Sequence, residues 1–196
     1  MLDIIIPVYN EKKTIYSALT QIKKKVTIRH NIFIIYDFNE DSTLEPVKKY
    51  IAKNNSKNIF LTKNLFNKGA LNAIKTGLSI ATNSAILVTM ADLSDDLDIV
   101  DEMFTKIMQG YDVVCGSRYM KGGRHIGGKP LKKFLSYFAG TSLNLFTKIN
   151  THDITNSFKM YKYSFIKEIT IESTGGFEIG MELTIKAFIL RKKISE

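Results

Sequence analysis

The sequence predicts an α/β fold with a mostly parallel central sheet covered by helices on both sides. Two observations carry this. Short apolar runs, of the kind found in strands buried on both faces, alternate with segments of helical periodicity through the first 115 residues. The repeat length of each strand–helix unit suits right-handed parallel crossovers.

Residues 2–7 (LDIIIP) form the first apolar run, and Pro7 ends it and stiffens the exit. Residues 14–26 follow with helical spacing at Ile15, Leu19 and Ile22. Strands are expected at 31–36, 58–62, 84–90 and 111–115, and helices at 43–53, 68–81 and 95–108. The second half changes character. Residues 121–129 are rich in Gly and Lys and read as a mobile loop. Residues 131–149 read as an amphipathic helix, 157–161 as a strand and 177–190 as a helix. No repeat or low-complexity linker divides the 196 residues, so one domain spanning 1–196 is the economical count. The chain stops at Lys-Lys-Ile-Ser-Glu soon after a helix, an odd place for a sheet domain to end, and truncation of a longer chain is one reading of it.

Composition narrows the classes. Hydrophobic residues at 44% and charged residues at 24% exclude a disordered chain. No apolar stretch reaches the ~18 residues of a membrane span. The start lacks the basic flank and cleavage site of a signal peptide. Cys115 has no partner for an internal disulfide, which suits a reducing compartment, and it reads as a small core residue. The net charge of +9 admits nucleic acid, an anionic membrane surface or an anionic substrate as partner. Many lysines are scattered along the first half, as on solvated helix faces. The dense stretch is 121–133, with Lys121, Arg124, Lys129, Lys132 and Lys133 and no acid. It lacks the spaced aromatics of a stacking platform, which argues against nucleic acid.

In an open parallel sheet ligands bind beyond the carboxyl ends of the strands, so the residues following each strand carry the chemistry. After the first come Tyr9, with a ring to stack on a nucleobase, and Asn10 and Glu11, which suit a base or ribose or else begin the helix. Asp37 follows the second strand and can accept from a ribose or a base N–H, while Asp41 and Ser42 fit a cap on the next helix. Gly69, Ala73, Gly77 and Ala81 form a small-residue face that lets the third helix approach the sheet. Asp92 follows the fourth strand. A carboxylate there can hold Mg²⁺ or Mn²⁺ beside a diphosphate, or can simply charge a helix N-terminus together with Asp95, Asp96 and Asp98. Arg118 follows the fifth strand and, with Lys132 and Lys133, can neutralise phosphate. His30, His125 and His152 show no metal-ligand spacing.

Seven segments occur in one order: IIIPVYNE (4–11), YDFNEDST (36–43), NKGALNAIKTGLSIA (67–81), MADLS (90–94), GSRYMKGG (116–123), DITNSFKMY (153–161) and GFEIGMEL (176–183). In these the chain resembles family 2 glycosyltransferases, and within them the dolichyl- and polyprenyl-phosphate sugar synthases. The resemblance implies a GT-A (nucleotide-diphospho-sugar transferase) fold. It implies Pro7, Tyr9, Glu11 and Asp37 at the nucleotide, Asp92 as the second acid of a DxD-type motif holding Mg²⁺ or Mn²⁺, and Arg118 and Lys132 near the phosphates. Asp153 and Glu178 match acidic positions of the later motifs. The chain departs from the pattern at Tyr36 and Met90, where acids are usual, at Ser94, usually Gln, and at Lys159, usually Arg.

The activity so implied is inverting transfer of a sugar from a nucleotide-diphosphate donor to a lipid phosphate, at the cytoplasmic face of a membrane. The basic loop would close over the donor, and the 131–149 helix would rest on anionic headgroups or pack as an ordinary core helix. Two alternatives stand beside it. A saccharide hydroxyl acceptor would need a base, with Asp153 or Glu178 as candidates. The departures at Tyr36 and Met90 would also fit a non-catalytic nucleotide-binding domain. The expectation is spatial: Glu11, Asp37, Asp92 and Arg118 gather on one rim of the sheet.

Overall fold

A computed structural model describes residues 1–119, 149–175 and 178–196. The loop and helix expected between 121 and 149, with Lys132, lie outside the described residues for all but Ile149, as does Phe177. In chain order the elements are β1 (Leu2–Pro7), α1 (Ile15–Lys25), β2 (His30–Tyr36), α2 (Leu44–Asn54), β3 (Ile59–Lys63), α3 (Ala70–Ile80) and β4 (Ala85–Val88). A 3₁₀ turn (Leu97–Ile99), α4 (Val100–Met108), β5 (Val113–Cys115), β6 (Lys159–Lys162), α5 (Tyr163–Glu168), α6 (Ile179–Ile189) and β7 (Ile194–Ser195) follow.

The described strands form one sheet in the order β3-β2-β1-β4-β6-β5-β7. β6 runs antiparallel to both neighbours, and the remaining pairs are parallel. β1 explains the two-sided core. Leu2, Ile4 and Ile6 pack with α1, α2 and α4 on one face, while Ile5 packs with α3, α5 and α6 on the other. Alternation of side chains along a strand sends successive residues to opposite layers, so a strand covered on both faces reads as an unbroken apolar run.

Several boundaries differ from expectation, three of them for clear local reasons. β4 ends at Val88, not Met90, because the Met90 amide turns away to donate to Asp95 at 3.0 Å. The helix expected from 95 begins as a 3₁₀ turn, because Asp96 takes the Asp98 amide into a local cap. α3 starts at Ala70 because Gly69 holds φ +116°, a conformation natural to glycine; it is the residue before the helix and not part of its packed face. Ala73, Gly77 and Ala81 are buried as expected, and a methyl at Gly77 would collide with the Ile5 side chain. At the chain end, Ile194 and Ser195 pair with Val113 and Val114 as an edge strand that a lone isoleucine had not announced.

Candidate functional site

β1 through β5 all point the same way, because β6 is antiparallel to both β4 and β5. The exits of β1, β2, β3, β4 and β5 therefore open on one rim, and the segment leading into β6 (153–158) enters at that same rim. Glu11, Asp37, Asp92, Arg118 and Asp153 all belong to it.

The first two exits are tied together by an anion. Asp41 is buried, and both its oxygens accept from the Asn10 amide at 3.2 Å while Oδ1 accepts the Thr43 amide at 2.8 Å. The Glu11 amide donates to Thr43 Oγ1 at 2.9 Å, and Asn10 Oδ1 accepts the Ser42 amide. Asp41 is thus more than the helix cap expected of it. It holds Asn10 at φ +58°, which throws Tyr9 outward, 67% exposed, to meet Phe38 edge-on at 5.7 Å. Lys68 lies 5.7 Å over the same Phe38 ring. Glu11 accepts from Thr14 Oγ1 at 2.7 Å, steadying the start of α1.

Asp37 ties the second exit to the third. It accepts from Asn64 Nδ2 at 2.8 Å and from the Gly69 amide at 2.9 Å. Each carboxylate oxygen has a second lone pair, so a ribose or base donor remains compatible with these bonds.

At the fourth exit Asp92 is exposed and accepts the Ser94 amide at 3.0 Å. The intervening Leu93 takes φ +66°, a conformation that costs a side-chain-bearing residue about 1 kcal/mol. Asp95 does not serve as a helix-end charge. Its Oδ2 accepts from Thr89 Oγ1 at 2.8 Å and from the Met90 amide, holding the strand exit. Burial pushes its carboxyl above the usual range, Asp92 adds to this, and Arg118 opposes it, so the three groups share one electrostatic neighbourhood. Among the described residues no three His, Cys, Asp or Glu side chains converge as a metal site. Magnesium commonly takes one or two carboxylates and completes its shell with substrate phosphate and water. Asp92 fits a cation of that kind, arriving with a diphosphate.

The fifth exit is the most tightly built. Arg118 Nε and Nη2 meet Asp153 Oδ2 and Oδ1 at 2.6 and 2.7 Å, and the Arg118 amide adds a third bond at 3.0 Å. The Asp153 side chain has no exposure, while that of Arg118 keeps 29%. Desolvation would push the Asp153 carboxyl up, but the Arg118 side-chain and backbone bonds outweigh it and hold it below the usual range. Those bonds likewise raise Arg118. A buried, ionised and fully engaged carboxylate is a poor proton acceptor, which speaks against Asp153 as a general base. Glu178 is exposed just before α6, where Oε1 receives the Gly175 amide at 3.4 Å.

Asn64, Thr43, Asp95 and Lys159 hold the rim together and were not singled out from sequence as its supports. Only Lys159 left a signal: a lysine beside Phe158, Met160 and Tyr161 in a strand, where it is wholly buried. A hollow of about 630 Å³ lies elsewhere, lined by Gln109, Tyr111, Phe188 and Lys193 among others. Tyr111 precedes β5 and Arg118 follows it, so that hollow sits at the opposite end of the strand.

A parallel sheet with one reversed strand, whose exits bring acids and an arginine to one rim, is the GT-A architecture of nucleotide-sugar transferases. The chain belongs to glycosyl transferase family 2, whose sequence model matches residues 3–170. It is similar to the dolichol-phosphate mannosyltransferase of Pyrococcus furiosus, 29% identical over 123 residues, covering 62% of this chain and 34% of that protein. It is also similar to the dolichyl-phosphate beta-glucosyltransferase of Dictyostelium discoideum, 33% identical over 129 residues, covering 60% and 39%. The chain thus aligns with little more than a third of either relative. Glucosyl-3-phosphoglycerate synthase of Mycobacterium tuberculosis, solved with Mn²⁺, UDP and phosphoglyceric acid, shares the fold at a TM-score of 0.74. That likeness covers all of this chain and 67% of the other at 12% identity. The same enzyme has been solved with Mg²⁺ and UDP.

Proposed function

We propose that this glycosyltransferase moves a sugar from a nucleotide-diphosphate donor to the phosphate of a polyprenyl or dolichyl phosphate, with inversion at the anomeric carbon. The observation that carries this reading is the placement of Asp92, Asp95 and Arg118 on one rim, at the β4 and β5 exits that flank the entry to β6, in a family 2 glycosyltransferase. The dolichol-phosphate relatives support the acceptor class.

A phosphate oxygen of the acceptor attacks the anomeric carbon as the bond from that carbon to the donor diphosphate breaks. The acceptor phosphate is already ionised at neutral pH, so no proton need be removed. The engaged state of Asp153 favours this acceptor over a saccharide hydroxyl, which requires a base. Tyr9 offers a stacking face to the base, and Glu11 and Asp37 face the ribose and base. Arg118, aimed by Asp153, faces the developing charge on the diphosphate. A divalent cation held by Asp92 would neutralise the same charge. With Met90 replacing the first acid, that cation depends on the donor for most of its ligands. Lys132 is proposed as a second cation near the phosphates, and the lipid acceptor implies peripheral contact with an anionic membrane at its cytoplasmic face. No described helix is long and apolar enough to cross a membrane.

The test is transfer of labelled sugar from UDP- and GDP-sugars, with Mg²⁺ or Mn²⁺, to a polyprenyl phosphate, a saccharide and 3-phosphoglycerate. Product on the lipid phosphate is expected. Asp92→Ala should lower kcat by about 10²–10³-fold, the loss of one preorganised charge-stabilising contact, while Asp92 is exposed enough that stability moves by no more than about 0.5 kcal/mol. Product on the saccharide alone, or activity indifferent to Asp92, would overturn the reading.

A further inference from the structure

We propose that Lys159 is a positioning residue for transfer: its buried ammonium fixes the segment 153–156, and through that segment the direction of Arg118. This rests on the proposed transferase reading for its kinetic consequence, not for its structural one.

Lys159 opens β6 opposite Cys115, with no exposure. Its Nζ donates to the carbonyl of Ile154 at 2.8 Å and to that of Asn156. A buried ammonium is costly unless its protons are engaged, and a strand position with an apolar side chain would need no such arrangement. The result is a fixed turn, because the two carbonyls on one nitrogen bracket residues 154–156, directly after Asp153. Side chains of the segment 153–156 reach Arg118 and its exit. Asp153 takes the guanidinium and amide of Arg118, and Thr155 Oγ1 accepts from Nη2 at 3.3 Å. Asn156 Nδ2 donates to the Gly116 carbonyl at 2.8 Å. The Gly116 amide donates back to Phe158 at 2.9 Å, closing the loop onto β5.

α6 seals the arrangement from the other side. A methyl on Gly180 would lie 3.1 Å from the Asn156 carbonyl and 3.5 Å from Nζ, so glycine lets the helix press on both the cation and its ligand. Burial holds the Lys159 amine below the usual lysine range, and the nearby Asp153 carboxylate opposes that shift.

The experiment has two arms. In the first, kcat and donor KM are measured for Lys159→Met, Lys159→Arg and Gly180→Ala, alone and with Arg118→Ala. Lys159→Met should lower kcat by roughly 10²-fold, as when a distant change misplaces a reacting group, with donor KM little changed. In the Arg118→Ala background the same substitution should add less than about 2-fold, because both act through one group. Lys159→Arg, which keeps the cation, should recover most of the loss. If Lys159→Met does not fold, the milder Gly180→Ala serves the same cycle. Gly77→Ala, destabilising but remote on α3, should show no such dependence on Arg118. In the second arm, the Arg118 Nε–Hε resonance, identified by its absence in Arg118→Lys, is followed by ¹⁵N NMR and should shift in Lys159→Met and Gly180→Ala. Equal losses in both Arg118 backgrounds, or an unmoved Hε resonance, would overturn the proposal. An inactive wild type with a shifted resonance would sink the transferase reading and leave the positioning intact.

Discussion

The two halves of the sheet are held by different chemistry. From β1 to α3 neighbouring loops are joined by aspartates that accept mainly from backbone amides. Asp3 takes the Thr82 and Asn83 amides, Asp37 that of Gly69, and Asp41 those of Asn10 and Thr43. From β4 to β7 the joints are buried charges: Arg118 on Asp153, and Lys159 on two carbonyls. An amide donor loses part of its bond when its carboxylate becomes a carboxamide. A guanidinium loses the charge of the carboxylate it grips. The Arg118 end of the rim is therefore the more brittle one.

Isosteric replacements break this comparison open. Asp153→Asn removes the carboxylate that Arg118 grips and should cost on the order of 3 kcal/mol, the low end for a broken buried pair because Arg118 keeps some exposure. Denaturant unfolding would measure it, and kcat should fall with it. Gly77→Ala forces a methyl against fully buried Ile5 and should cost about 1–3 kcal/mol by overpacking, with donor binding little changed. Asp41→Asn, in the amide-bonded half, should cost only about 1 kcal/mol but should raise donor KM as Asn10 and Tyr9 lose their orientation. A loss equal to that of Asp153→Asn would erase the contrast between the halves.

The smallest effect is confined to acid. Glu182 on α6 accepts from the Glu172 and Ser173 amides and pairs with Lys186 at 2.8 Å. Desolvation would raise its carboxyl, but those bonds outweigh it and lower it from 4.5 to about 2. The folded state then binds fewer protons than the unfolded state between these values. Its contribution is complete above 4.5 and lost as pH falls toward about 2. Thermal melts of Glu182→Gln should lose this acid-limb slope and match the parent's slope above pH 5.

Legibility followed the same division. In the first half each strand pairs with one near it in sequence, so local apolar runs fixed β1, β2 and β3 within a residue. Asp92 and Arg118 were visible because the exit of a parallel strand is a place defined by sequence alone. Their supports were not. Asn64 is an ordinary polar residue until Asp37 meets it from another loop, Asp95 and Lys159 bond within their own loops only once those loops have their folded shape, and β7 is two residues that become a strand only beside β5.

By itself, the sequence determined the βα alternation, the two-faced burial of the strands and the identity of the polar residues at each exit, because periodicity and strand ends are local properties. The tertiary structure alone decided that β6 runs back between β4 and β5, carrying Asp153 to Arg118 and burying Lys159 beneath them. An ion pair across 35 residues depends on long-range strand pairing, and no local pattern records which distant charge will be desolvated beside it.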